Sequence, residues 1–189
     1  MLNIELVEQL LRAISELNNG CRLLHISTEV VGKNKLAGDI SDEAFIQKPP
    51  FEEDVYARTK WQAEKFLYEQ KLAPYLSLRL PFMIGHAPFQ GNWFHDMKNK
   101  LTNKEVVNIM IKNNRYFGSA REIGFTLLQL ACYLKEEVIK DQFLNLIGPI
   151  EISRLELLIL ISEYYGFPLH NIYTYPSPAM ISGQPGFTN

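Results

Sequence analysis

Tyr56 and Lys60 are the residue types in this chain best suited to proton chemistry, and they stand four apart in VYARTKWQAEKFL, Val55 to Leu67. Residues four apart lie on one face of a helix. The pattern predicts a helix over about residues 54–71. Glu52, Glu53 and Asp54 open it near its positive N-terminal dipole, and Pro74 blocks its continuation. A phenol and an ammonium would then point into one site. A neighbouring cation favours the phenolate, and such a phenol can exchange a proton with an alcohol or carbonyl oxygen near neutral pH. On spacing alone, the commoner explanation is a solvated or packed helix face.

The elements around the pair must position it. Ile4, Val7, Leu10, Leu11, Ile14 and Leu17 recur at three- and four-residue spacing and predict a helix over 4–17, ended by Asn18-Asn19-Gly20. The apolar run CRLLHIST, Cys21 to Thr28, reads as a buried strand, and a helix feeding such a strand is a parallel α/β signal. Ligands bind outside the carboxyl ends of strands in such sheets, and Ser27-Thr28 falls at one. The plain alternative for Thr28 is a strand-end hydroxyl.

Residues 32–54 read as a long loop with Gly32, Gly38, Pro49 and Pro50. Tyr75 to Leu80 alternates as a second strand, stopped by Pro81, and Gln142 to Ile147 is a third, stopped by Gly148-Pro149. Helices are expected near Asn92–Leu101, over 119–135, and from Ser153 to about Tyr165 with Glu156 completing a capping box. The tail, with Pro176, Pro178, Gly183, Pro185 and Gly186, looks irregular.

The chain has 189 residues, 47% hydrophobic and 21% charged, with net charge -2. That describes one ordinary soluble globular protein and gives no basic patch for nucleic acid. No apolar run approaches the roughly 18–20 residues needed to span a bilayer. No signal peptide is seen, and a cytoplasmic location is expected. Cys21 and Cys132 sit in apolar runs and are expected as buried free thiols. His25, His86, His95 and His170 form no ligand cluster, so no metal is expected. His25 reads as a packed residue, and His95 is the one histidine near the proposed site.

The order of these segments resembles the extended short-chain dehydrogenase/reductase superfamily. CRLLHIST resembles its strand with the catalytic Ser/Thr, and VYARTKWQAEKFL its active-site helix. LRLPFMIGHAPFQGNWFHDM, Leu78 to Met97, is similar to the corresponding segment of the dTDP-4-dehydrorhamnose reductases, with Asn92 and Trp93 or Phe94 as an Asn-aromatic pair. The likeness runs from about residue 3 to 168, and into SGQPGFTN at the end.

The resemblance implies a fold: the C-terminal part of a Rossmann-like parallel sheet with flanking helices, plus a small α-rich substrate-binding region. Residues 1–81 would form the partial Rossmann-like domain. Residues 82–189 would form the substrate region, with one strand near 142–147 returning to the sheet. It also implies roles. Thr28 would hydrogen-bond the substrate oxygen, Tyr56 would be the general acid/base, and Lys60 would hold the nicotinamide ribose. Pro81, Phe82 and Met83 would lie near the nicotinamide of NAD or NADP. Thr28, Glu29, Asn92 and Phe94 would face a nucleotide-linked keto-sugar. For Asn92, a helix N-cap is at least as good a local explanation.

The sequence departs from that family in one large way. It holds no Gly-x-x-Gly-x-x-Gly or Gly-x-Gly-x-x-Gly, the turn that lets backbone approach a pyrophosphate. Met1 falls where a full-length relative would enter the helix after its fourth strand. Either the adenosine-binding half is expected from a second chain, or the chain is a remnant or an incomplete product. The expected partner is that second chain or another copy in a homo-oligomer. After Thr28 comes Glu29-Val30-Val31-Gly32, without the aromatic residue many relatives carry there, and 113–122 lacks a Pro-Thr pattern. The expected activity is an NAD(P)-dependent reductase of nucleotide-linked keto-sugars, incomplete alone. The alternatives are a non-catalytic sugar-nucleotide-binding or regulatory module, or an epimerase/dehydratase fragment.

Overall fold

The computed structural model describes residues 2–17, 20–32, 43–50, 54–85, 92–111, 114–133 and 142–176. Much of the 32–54 segment expected as a loop, with Glu52 and Glu53, and the residues beyond Pro176, expected to be irregular, lie outside the described residues, as does His86. The chain divides into two compact units. The first comprises 1–35, 39–81 and 122–147, and the second 36–38, 82–121 and 148–189.

In the first unit, α1 (Leu2–Leu17) leads through Gly20, whose φ of 74° is left-handed, into β1 (Leu23–Thr28). A 3-10 turn (Glu29–Gly32) follows β1, and α2 (Val55–Gln70) precedes β2 (Tyr75–Leu80). Residues 120–133 form α4, and β6 (Gln142–Asn145) closes a parallel sheet in the order β1-β2-β6. The period-two alternation of β2 divides the core. Tyr75 packs with Val7, Leu11, Ala63, Leu67 and Phe143 under α1 and α2. Leu76, Leu78 and Leu80 pack on Ile123, Leu127 and Leu130 of α4. All six β2 residues are buried, which is why the run carries no exposed polar face.

The second unit holds β3 (Phe82–Ile84), α3 (Trp93–Thr102), β4 (Val107–Met110), β5 (Asn114–Ser119), β7 (Glu151–Ser153), α5 (Arg154–Tyr165) and β8 (Ile172–Tyr175). Sheet order is β3-β5-β7, with β4 and β8 as a separate parallel pair. These five strands run three to six residues, too short for alternation to announce them. The core gathers Leu101, Val107, Ile109, Leu157, Leu158 and Ile161. Ser153 and Glu156 form the expected capping box, and Gly166 ends α5 in the left-handed region. Hydrogen bonds from the Ser153 backbone, and then from its side chain, hold the Glu156 carboxyl below its usual pKa.

One expectation is corrected. Cys21 and Cys132 are both exposed rather than buried. Cys21 falls two residues before β1 begins, outside the sheet that buries the run after it. Cys132 shares the outward face of α4 with Leu128, four residues earlier, while Ile123, Leu127 and Leu130 take the sheet-facing side. Among the described residues, no helix is long and apolar enough to cross a membrane, and no group of three His, Cys, Asp or Glu could hold a metal.

Candidate active site

Thr28 is the last residue of β1, buried, with its hydroxyl oxygen 3.5 Å from the Val30 backbone N–H that donates to it. Glu29 begins the 3-10 turn that leaves the strand. Helix α2 packs on both β1 and this turn. Its start is set by Asp54, whose carboxylate accepts from the Ala57 N–H at 2.9 Å. Tyr56 therefore sits in the first turn, 57% exposed. Lys60 lies one turn on and donates from Nζ to the Ile26 carbonyl at 3.0 Å. Burial holds the Lys60 pKa below the ordinary lysine range.

The Ile26 carbonyl has a particular direction. Leu23 N–H donates to the Pro74 carbonyl, and Leu23 is in register with Tyr75. Leu23, His25 and Ser27 thus turn their backbone groups to β2, and Leu24, Ile26 and Thr28 turn theirs to the other side. Among the described residues β1 pairs with β2 alone. The Lys60 ammonium thus reaches an edge of the sheet, two residues before Thr28.

Sequence reasoning missed the polar layer beneath this site. Ser27 Oγ donates to Glu64 Oε1 at 2.5 Å. Arg79 meets the same carboxylate through Nε (3.0 and 3.2 Å) and Nη2 (2.7 Å). Both members of this ion pair are 0% exposed. Arg79 Nη2 also donates to the Ala44 carbonyl at 2.9 Å, and its guanidinium stacks on Phe143 at 5.2 Å. Beside this network, His25 Nδ1 lies 2.8 Å from Ser77 Oγ. Burial, and then the Lys60 ammonium, lowers the His25 pKa to about 4, so the ring is neutral near pH 7. The register places His25 opposite Ser77 and Ser27 opposite Arg79, making one polar ladder that α2 covers. The signal was present in two odd polar residues inside apolar strand runs, Arg79 and His25, and in Glu64 one turn after Lys60.

The remaining expected residues divide between the units. Pro81 is buried at the end of β2 in the first unit. Phe82, Met83, Asn92 and Phe94 belong to the second. Phe82 stands edge-on to Trp93 (6.1 Å) and Phe117 (5.5 Å), with the Arg154 guanidinium 5.1 Å over its ring. Arg154 has its pKa lowered by burial first and then by Arg115. Met83 is exposed. Asn92 caps α3 by accepting from the His95 N–H at 3.2 Å, and its amide donates to the Gly85 carbonyl at 3.0 Å. Phe94 packs against the second unit's core.

The first unit is thus a parallel α/β sheet covered on both faces, with a hydroxyl at one strand's carboxyl end and a Tyr-x-x-x-Lys helix beside it. Solved sugar-nucleotide enzymes share the fold. dTDP-glucose 4,6-dehydratase from Bacillus anthracis in complex with NAD has a TM-score of 0.73 at 15% identity, over 93% of this chain and 56% of its own. A variant of UDP-glucuronic acid 4-epimerase from Bacillus cereus, in complex with UDP-4-deoxy-4-fluoro-glucuronic acid and NAD, gives 0.72 at 19%, over 93% and 55%. dTDP-4-dehydrorhamnose reductase from Bacillus anthracis in complex with NADP gives 0.63 at 16%, over 88% and 54%. The chain thus has the fold of the extended short-chain dehydrogenase/reductase enzymes and spans little more than half the length of these structures. No family model matches the sequence, and no curated protein matches it.

Proposed function

We propose that these residues carry the proton-transfer side of an NAD(P)-dependent enzyme acting on a nucleotide-linked keto-sugar. The carrying observation is the convergence of α2 on the end of β1. Lys60 is tied to the Ile26 carbonyl, Thr28 follows two residues later, and Tyr56 lies one turn before Lys60. A phenol, an ammonium and a hydroxyl suit the ribose and reacting oxygen of a nicotinamide enzyme, in which bound NAD(P)H supplies a hydride. Tyr56 gives its phenolic proton to the substrate carbonyl oxygen. Thr28 donates a hydrogen bond to that oxygen, and Lys60 offsets the charge left on the phenolate and holds the ribose. By the same resemblance, Pro81 would lie near the nicotinamide and Glu29 near the sugar nucleotide, while Phe82, Met83, Asn92 and Phe94, expected there too, belong to the second unit. The glycine-rich pyrophosphate turn comes from outside these 189 residues, in the same polypeptide or a second chain.

The test is reduction of a nucleotide-linked 4-keto-sugar, followed by loss of NAD(P)H absorbance, with the glycine-rich half supplied. Tyr56→Phe lowers turnover by about 100-fold or more. Turnover retained in that variant removes Tyr56 from its role. A second reading is epimerase or dehydratase chemistry with the same Tyr56, favoured by the higher structural similarity to the dehydratase and the epimerase than to the reductase. Product analysis under the same conditions separates the two, since only a reductase consumes the cofactor stoichiometrically.

A further inference from the structure

We infer that Glu64 is a positioning residue for this site, setting the distance between the end of β1 and the Tyr56–Lys60 face of α2. The inference rests on the proposed roles of Thr28, Tyr56 and Lys60 for its meaning in catalysis, but not for its geometry. Two successive residues of β1 are tied to two successive turns of α2. The Ile26 carbonyl accepts from Lys60, and the Ser27 hydroxyl donates to Glu64. Thr28 is the next residue, so no free backbone lies between the ties and the proposed catalytic hydroxyl.

The Glu64 carboxylate cannot move to accommodate a shift of α2. Arg79 grips it through Nε and Nη2, and Arg79 is itself held by the Ala44 carbonyl and by stacking on Phe143. Both charges are fully buried, and a buried ion pair is costly to form compared with apolar residues of the same size. Its return here is register. The Arg79–Glu64 pair carries the local fold, and the single Ser27 hydrogen bond transmits its position to β1. The contact from Lys60 follows from that placement.

The experiment reads Lys60 in the chain as it is, without cofactor or substrate, so a failure of the proposed activity leaves it unaffected. The Lys60 side-chain carbon resonances are titrated through the alkaline range, where His25, with its pKa of about 4, stays neutral. Ser27→Ala removes the tie and leaves the ion pair intact. The variant folds, and the Lys60 midpoint rises toward the ordinary lysine value by about half a pH unit or more as the ammonium leaves its half-buried seat. Ser27→Cys, similar in volume with a weaker donor, gives a smaller rise in the same direction. A folded Ser27→Ala chain with an unchanged Lys60 midpoint overturns the proposal and leaves Glu64 a structural ion partner. Failure of both variants to fold overturns it too, because Ser27 would then carry the fold rather than the position.

Discussion

Glu64 and Arg79 are both fully buried, and each carries the charge that offsets the other's. Removing one leaves an uncompensated charge in the interior, a loss of about 3–5 kcal/mol. Glu64→Leu alone is therefore expected to lower the urea midpoint severely, while Glu64→Leu with Arg79→Met recovers most of it. Equal loss in the single and double variants would refute this account. His25 makes a prediction in pH. Its folded pKa of about 4 lies below the unfolded 6.5, so the unfolded chain binds the extra proton first. Stability is full above about pH 6.5 and falls as pH drops toward 4, by about 3 kcal/mol over the window. His25→Asn flattens that slope in melts recorded across the same range. The placement of Thr28 at the end of β1 and of Tyr56 and Lys60 one turn apart on α2 was legible, because an apolar strand run and a four-residue helix spacing are local patterns. Glu64 and Arg79 were not. A glutamate in a helix and an arginine in a strand each look like ordinary surface residues until the fold brings together two positions 15 apart in sequence.

Among elements, those with long periodic runs were readable. Helices α1, α2, α4 and α5 and strands β1, β2 and β6 appear within about two residues of their expected bounds, the usual scatter at element ends. The five strands of the second unit were silent, since their pairing depends on partners distant in sequence rather than on local pattern. One glycine reveals how tightly that unit is assembled. A Cβ on Gly148 would stand 2.0 Å from the Phe117 carbonyl oxygen of β5. Gly148→Ala must push backbone apart, and it is expected to lower the melting temperature far more than Gly124→Ala on α4, where nothing lies within 4 Å. Comparable melting temperatures for the two variants would contradict the contact. Ser153→Ala, which opens the capping box of α5, has a milder expected effect of about 1 kcal/mol in denaturant unfolding.

For the molecule as a whole, the cofactor question separates from the catalytic one. The main anchor of a dinucleotide is the pyrophosphate on a glycine-rich turn, and these residues contain no such motif. NADH titrated into the 189-residue chain, followed by its fluorescence, is expected to bind no tighter than about millimolar. Micromolar binding would show that the anchor lies within the chain after all.

The route of the polypeptide has its own practical outcome. Among the described residues it passes between the units at Pro81–Phe82, at Arg121–Glu122 and at Ile147–Gly148. A stop codon after residue 81 would therefore not release a smaller working module. It would strip β6 from the sheet and uncover the Leu76, Leu78 and Leu80 face that α4 shields, leaving a sticky two-stranded remnant. Gene dissection aimed at α2 must keep residues 122–147, joined to it by a linker if the second unit is to be removed.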